Sequence, residues 1–255
     1  MSENTTHRRV ALVTGANKGL GRAAAEQLTA VGITVLIGAR DPQRGEETAA
    51  ALRAAGGDAY ALALDVTDAS SVRAAALQVH ERFGYLDVLI NNAGISGSGQ
   101  VPPEHAQDQI PSSVDLNMVR SVFETNVVGV IAVTNAMLQL LRRSPAPRIV
   151  NVSSHAASLT IASIPDGPLA DLPASAAYSP SKTALNALTV QYANELRTEG
   201  IFVNAAAPGY VATAGNDHRG HLTPAQGAAV LVHLATLGAD GPTGGFFSAD
   251  GPVPW

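Results

Sequence analysis

Short continuous apolar runs alternate with longer amphipathic stretches along this chain, and no other feature limits its fold so sharply. Val10–Thr14, Ile33–Ala39, Ala59–Leu64, Leu86–Asn91, Arg148–Ser153, Ile201–Ala206 and Gly245–Phe247 have strand length and few polar interruptions. Between them, Leu20–Val31, Gln43–Ala55, Ala69–Phe83, a long stretch Val114–Arg142, Tyr178–Glu199 and Pro224–Leu237 read as helices. Strands that are apolar throughout must be covered on both faces, which a parallel sheet flanked by helices achieves. The expectation is an α/β, doubly wound sheet of about seven mostly parallel strands. Residues 1–8 read as a flexible tail and 9–255 as one domain, because no linker divides them. Pro and Gly cluster in Gly94–Pro111 and Ile164–Pro173, which read as loops over a site.

Composition narrows the function. Hydrophobic residues make up 46% of the chain and charged ones 15%, enough to bury a large core. With a net charge of -5 and no basic cluster beyond His7-Arg8-Arg9, a nucleic-acid partner is not expected. There is no cysteine, which excludes disulfides, thiolate metal sites and a cysteine nucleophile. The apolar run after Arg8-Arg9 ends at Gly15, too short for a signal-peptide core, and no run reads as a membrane span. A cytoplasmic protein without a membrane partner is expected. His218 and His221 lack an evident third ligand, so no metal is expected. His155 follows Ser154, but no G-x-S-x-G elbow accompanies it to suggest a hydrolase.

The first strand runs into "VTGANKGLGRAAAEQL". Gly15, Gly19 and Gly21 follow a G-x-x-x-G-x-G pattern, with Asn17, Lys18 and Leu20 between them. Glycines in a strand-to-helix turn let the backbone approach a pyrophosphate, and the helix then points its first N–H groups at the anion. After the second strand comes "LIGARDP". Arg40 there and Lys18 in the turn suit a 2′-phosphate and favour NADP(H); Asp41 lies where an acid would accept from an NAD ribose, so NAD(H) stays the alternative.

Taken together, TGANKGLG (14–21), LDV (64–66), NNAG (91–94), Asn126 in "ETN", "VNVSS" (150–154), "YSPSK" (178–182) and "PGYVAT" (208–213) resemble the short-chain dehydrogenase/reductase family over nearly the whole chain. "TGANKGLG", "ARDPQRG" and the ending "GGFFSADGPVPW" further resemble its NADPH-dependent carbonyl reductases. The resemblance implies a Rossmann fold. It implies that Asp65 and Val66 contact adenine, that Asn92, Ala93 and Gly94 line the ribose and cleft floor, and that Pro208, Gly209, Val211 and Thr213 hold the nicotinamide end. Asn126, Ser154, Tyr178 and Lys182 match the family's catalytic tetrad, Ser154 being the second serine of "NVSS". Lys182 would also bind the nicotinamide ribose, and Asn126 would help hold a water that feeds protons through it.

The chemistry asks for such a set. Hydride arriving at a carbonyl carbon builds negative charge on its oxygen, which needs a proton and donors. Tyr178 and Lys182, four apart on a helix, share a face. The ammonium is expected to lower the phenol pKa; a drop of about 3 units is worth roughly 4 kcal/mol. Tyr178 then acts as acid in reduction and base in oxidation, with Ser154 donating to the substrate oxygen. The 24 positions between Ser154 and Tyr178 (178 − 154) exceed the family's usual spacing. In the related carbonyl reductases a longer insertion there covers the dimerising face; the one here is shorter, and a monomer is favoured with a homodimer as the alternative. That segment, 95–111 and 214–223 are expected to wall the pocket of a small carbonyl or alcohol substrate. An NAD-linked alcohol dehydrogenase or sugar epimerase, and a dinucleotide-binding sensor without catalysis, are the competing functions.

Overall fold

A computed structural model of the chain describes residues 7–97 and 109–255. Eight strands form one sheet in the order β3-β2-β1-β4-β5-β6-β7-β8. They are β1 Val10–Thr14, β2 Thr34–Ala39, β3 Ala59–Ala63, β4 Val88–Asn91, β5 Arg148–Val152, β6 Phe202–Ala206, β7 Phe246–Ser248 and β8 Gly251–Pro252. All neighbours through β7 pair in parallel; the two-residue β8 turns back antiparallel on β7 and was not foreseen. Helices α1 Gly19–Ala30, α2 Pro42–Ala54 and α8 Pro224–Ala235 enclose one core with Val13, Val35, Ile37, Val88, Ile90 and Val150. Helices α3 Ala69–Arg82, α5 Gly129–Leu141 and α7 Tyr178–Leu196 enclose the other with Leu12, Leu36, Leu89, Ile149 and Val203. Alternate residues of one strand thus feed opposite cores, and each fully buried Leu or Ile contributes about 2 kcal/mol.

Local chemistry sets the helix starts. Asp41 caps α2 through Gln43 N (3.0 Å) and Arg44 N (3.3 Å), with Pro42 in the first turn. Asp68 caps α3 through Ser70 N at 2.8 Å. Thr223 and Gln226 form a capping box ahead of α8. The expected helix to Glu199 ends earlier: α7 stops at Leu196, a 3₁₀ turn covers Arg197–Glu199, and Gly200 closes it at φ 73°.

The single helix expected over Val114–Arg142 is not uniform. It starts at α4 Leu116–Phe123, widens into a π turn at Glu124–Val128 and continues as α5. Leu116–Leu141, 26 residues long with an 18-residue window of mean hydropathy 1.4, is long and apolar enough by composition to cross a membrane, which corrects the expectation that no run is. Its Val133, Met137, Leu140 and Leu141 are committed to the protein core. The N-terminal segment is anchored by His7, whose Nε2 lies 2.7 Å from Asp87 Oδ1, and by Arg8, whose carbonyl accepts from Tyr85 Oη at 2.6 Å.

Candidate active site

The strand order reverses between β1, which is followed by β2 on one side, and β4 on the other, so a crevice opens at their C-terminal ends. The glycine turn lies there. Gly15 and Gly19 have φ of 64° and 54°, a left-handed backbone that a side chain resists. A Cβ on Gly21 would meet Asn92 Nδ2 and approach Gly15 O to 2.7 Å. The turn is tied to β4 by Asn92, whose Nδ2 donates to Thr14 O at 2.8 Å. Thr14 Oγ1 accepts from the N–H of both Asn92 and Ala93, at 3.0 and 2.9 Å. Thr14, outside the expected site residues, therefore pins the two loops of the crevice together. Thr213 approaches from "PGYVAT": its Cγ2 would sit 3.5 Å from a Cβ on Gly19. Gly209 holds that loop at φ 81°, Val211 is buried, and Val211 bridges to Leu222. A Cβ on Gly227 would lie 3.2 Å from Pro208 O and 3.3 Å from Leu20 Cδ1, so α8, α1 and this loop meet closely.

Beside the turn a cavity of about 280 Å³ is lined by Asn17, Lys18, Arg22, Arg44, Glu47 and Thr48. Thr48 Oγ1 donates to Asn17 O at 3.2 Å and fixes one wall. Arg40, expected to face a phosphate here, is exposed at the end of β2 and does not line the cavity. Arg44, one helical turn further, does; it was missed because spacing from the strand end, rather than α2's facing, guided the reading. Arg22 was missed likewise. Asp41 is engaged in capping α2 and lies 3.4 Å from Arg44 Nε. Asp65, at the end of β3, accepts from Thr67 N and Oγ1 at 2.9 and 2.7 Å. Val66 packs against Gly129, where a Cβ would meet its Cγ2 and O at 3.0 Å.

The tetrad residues come from four segments. Asn126 occupies the π turn and is fully buried. Its Nδ2 donates to Ile95 O (2.9 Å) and Ser181 Oγ (3.0 Å), and its Oδ1 accepts from Ile95 N (2.9 Å). A π turn inserts a residue into the helix register and rotates one side chain out of line, here towards the loop after β4. A Cβ on Gly94 would lie 3.1 Å from Asn126 Oδ1 and 3.4 Å from Lys182 Nζ, so these two groups flank Gly94 closely. Lys182, 5% exposed, donates to Val152 O at 2.7 Å, its one acceptor among the described residues. Below, Asn91 Nδ2 donates to Asn151 Oδ1 (2.9 Å) and Asn151 Nδ2 to Thr189 Oγ1 (2.9 Å), a buried polar ladder joining β4, β5 and α7.

Ser153 and Ser154 part ways. Ser153 is buried, and its hydroxyl donates to Asn186 Oδ1 at 2.6 Å. Ser154 starts a 3₁₀ turn, His155–Ala157; its Oγ accepts from Ala156 N at 3.2 Å, which leaves its own proton to donate. Tyr178 opens α7 and keeps part of its surface accessible. Its phenol is nevertheless deep enough that burial pushes it above the ordinary tyrosine value, while the Ser154 hydroxyl acts the other way. This reverses the expectation of a phenol lowered by Lys182. The ammonium lies 6.0 Å from the ring centroid, and burial pulls Lys182 itself down from 10.5 to about 8. Desolvation penalises whichever member of the pair is charged, and both shifts follow from it. His155 is lowered by burial, against the influence of Asp250.

Of the expected pocket walls, 98–108 lies outside the described residues. Segment 155–177 folds as the 3₁₀ turn, a short helix α6 Leu159–Ala162, and turns. It is tied to the C-terminal residues after β8 by Ser158 Oγ to Pro254 O (2.6 Å) and Thr160 N to Trp255 O (2.9 Å). Segment 214–223 carries a 3₁₀ turn Ala214–Asn216, followed by Asp217 and His218 in left-handed conformation at φ 53° and 58°. Among the described residues no group of three His, Asp or Glu side chains is arranged to hold a metal.

Known proteins resemble this chain in sequence and in overall fold. The family model for short chain dehydrogenases matches residues 9–221. A short-chain dehydrogenase of Penicillium roqueforti is 37% identical, covering 89% of this chain and 88% of the relative. The (+)-neomenthol dehydrogenase of Capsicum annuum is 32% identical over 97% of this chain and 98% of its own. The NADPH-bound carbonyl reductase from chicken fatty liver superposes with a TM-score of 0.81 at 29% identity, covering 98% of this chain and 100% of that one.

Proposed function

This chain belongs to the short chain dehydrogenase family and is an oxidoreductase of that family, and from that premise we propose that it is an NADP(H)-dependent carbonyl reductase. The reaction interconverts a ketone or aldehyde and its alcohol. Bound in the crevice, the reduced nicotinamide supplies the hydride that reaches the carbonyl carbon. Tyr178 gives its phenolic proton to the carbonyl oxygen, so that an O–H bond forms as the phenol becomes phenolate; in oxidation it takes that proton back. Ser154 donates a hydrogen bond to the same oxygen and favours the phenolate. Lys182 holds positive charge next to the phenolate that forms and uses its remaining N–H groups on the ribose side of the crevice. Asn126 shapes the lysine's surroundings through Ile95 and Ser181.

The observation that carries this reading is the buried Lys182 ammonium, given a single acceptor among the described residues and placed beside the Tyr178 phenol. Leaving both groups desolvated costs stability, and acid–base chemistry is a reason to retain them. The cofactor residues fit a dinucleotide. The backbone of the turn accepts close approach only because Gly15, Gly19 and Gly21 carry no side chain, and the first N–H groups of α1 have no acceptor within the helix. Lys18, Arg22 and Arg44 around one cavity supply charge for a 2′-phosphate, while Asp41 is engaged as a helix cap. The NADPH-bound carbonyl reductase neighbour and the neomenthol dehydrogenase relative support NADPH and a carbonyl or secondary-alcohol substrate.

The test is loss of cofactor absorbance with a panel of cyclic ketones, aromatic aldehydes and quinones, in NADPH and NADH side by side. Turnover with NADPH at a higher kcat/KM than with NADH is expected. Cofactor binding without turnover of any carbonyl would favour the non-catalytic sensor, and NADH preference would favour the NAD-linked dehydrogenase.

A further inference from the structure

Gln109 sits where three separate segments converge on the start of α7. It is 8% exposed, buried for a glutamine so close to loop residues. Its Oε1 accepts from Ser175 Oγ at 2.6 Å and from the backbone N–H of Tyr178 at 3.2 Å. Its Nε2 donates to Ser96 O, in the loop that follows "NNAG". Its backbone carbonyl accepts from Ala176 N at 2.8 Å. Ser175 Oγ in turn accepts from Ala177 N at 3.2 Å and Tyr178 N at 3.0 Å.

The position of these bonds matters more than their number. Ala177, the residue before α7, provides no side-chain cap. The first N–H groups of a helix need acceptors from elsewhere, and a loose first turn frays. The first residue of α7 is Tyr178 itself, so its backbone is held by acceptors from Ser175 and from Gln109, 69 residues away in sequence. The opposite end of the glutamine amide grips Ser96, one residue beyond Ile95, whose backbone is clamped by Asn126. Asn126 and Gln109 thus hold adjacent residues of one loop, the first beside Lys182 and the second at Tyr178.

We propose that Gln109 is a positioning residue for the acid–base step: its amide caps α7 in trans and fixes Tyr178 relative to Ser154 and Lys182. This rests on the assignment of Tyr178 as the acid. Glutamine is suited to the task, since one side chain must accept at the helix start and donate to a carbonyl in the facing loop. Glutamate would keep the two accepted bonds, lose the donor to Ser96, and place negative charge against the Tyr178 backbone at the start of α7. Methionine would keep the volume and lose every side-chain bond.

The experiment compares wild type, Gln109→Met, Gln109→Glu and Tyr178→Phe, with kcat, KM for the carbonyl, NADPH affinity by fluorescence, and the pH profile of alcohol oxidation. Gln109→Met is expected to lower kcat roughly 10- to 100-fold, the scale on which a displaced catalytic group acts, with NADPH affinity within twofold of wild type. Gln109→Glu is expected to move the oxidation profile to higher pH, because a nearby negative charge disfavours the phenolate. If Gln109→Met does not fold, the profile of Gln109→Glu decides. Wild-type kcat in Gln109→Met, or an unmoved profile in Gln109→Glu, overturns the proposal. The assignment beneath it fails differently: Tyr178→Phe would then retain full activity.

Discussion

The glycine turn after β1 and the corner around Tyr178 face the same crevice but are built by opposite means. The turn is local. Gly15, Gly19 and Gly21 fall within seven residues, and their work is done by backbone: two left-handed conformations and one contact too close for any side chain. The corner is assembled from distant segments. Asn126 reaches Ser181 and Ile95, Lys182 reaches Val152, Ser153 reaches Asn186, and Gln109 reaches Ser175 and Ser96. Binding a pyrophosphate asks for room and N–H groups, which backbone supplies. Moving a proton asks for side chains whose ionisation is tuned by burial, and those must be held by other side chains. The turn should therefore be vulnerable to added atoms, and the corner to lost polar groups.

Substitutions can break or sharpen that contrast. The largest effect is expected from Tyr178→Phe, which removes one oxygen: kcat should fall about 10³-fold while NADPH affinity is kept, because the loss is confined to proton transfer. Retained turnover would mean the corner is not the acid. Next comes Lys182→Met, judged by stability without cofactor. The folded pKa of Lys182 is about 8 against 10.5 for a free lysine, so between those values the unfolded chain binds more protons than the folded one. Wild-type stability should then rise as pH increases through that window, and the burial penalty at pH 7 amounts to roughly 3 kcal/mol. Lys182→Met should be more stable than wild type at pH 7, lose most of that advantage by pH 10.5, and be inactive. Denaturant melts at three pH values measure it, and a flat difference across pH would contradict the burial argument.

Gly21→Ala tests the turn. The new methyl meets Asn92 Nδ2 and comes within 2.7 Å of Gly15 O, so a cost of about 1–3 kcal/mol is expected, read as a lower Tm and weaker NADPH binding together. A variant with normal stability and affinity would show that the turn tolerates atoms after all. The smallest effect separates two arginines. Arg44→Ala should weaken NADPH about tenfold and leave NADH nearly unchanged, since Arg44 lines the cavity. Arg40→Asp should do less, because Arg40 stands outside it; the reverse order would restore the simpler reading from the strand end.

The difference in construction also explains what was legible. The strand–helix alternation and the three glycines are patterns of neighbours, and β1, the turn and α1 lie where those patterns place them. The π turn at Asn126 was not legible, because a helix that takes one extra residue keeps its apolar period on either side. Arg44 and Arg22 escaped notice because the facing of α2 and α1 towards a common cavity depends on how the helices pack. Gln109, in a stretch of sequence rich in proline and polar residues, has no local signature at all. The tyrosine's ionisation is not legible for the same reason: the sequence shows a lysine four residues on, while the burial that raises the phenol comes from the whole fold.

By itself, then, the order of residues determined the sheet, its two cores, the glycine turn and the family, since these follow from periodicity, from motif order and from glycine where a side chain cannot go. Only the tertiary structure decided that Ser153 is held by Asn186, which arginines share a cavity, and that phenol and ammonium are both penalised for carrying charge. Those outcomes depend on distances between segments far apart in the chain and on water removed by packing, and neither is encoded at any single position.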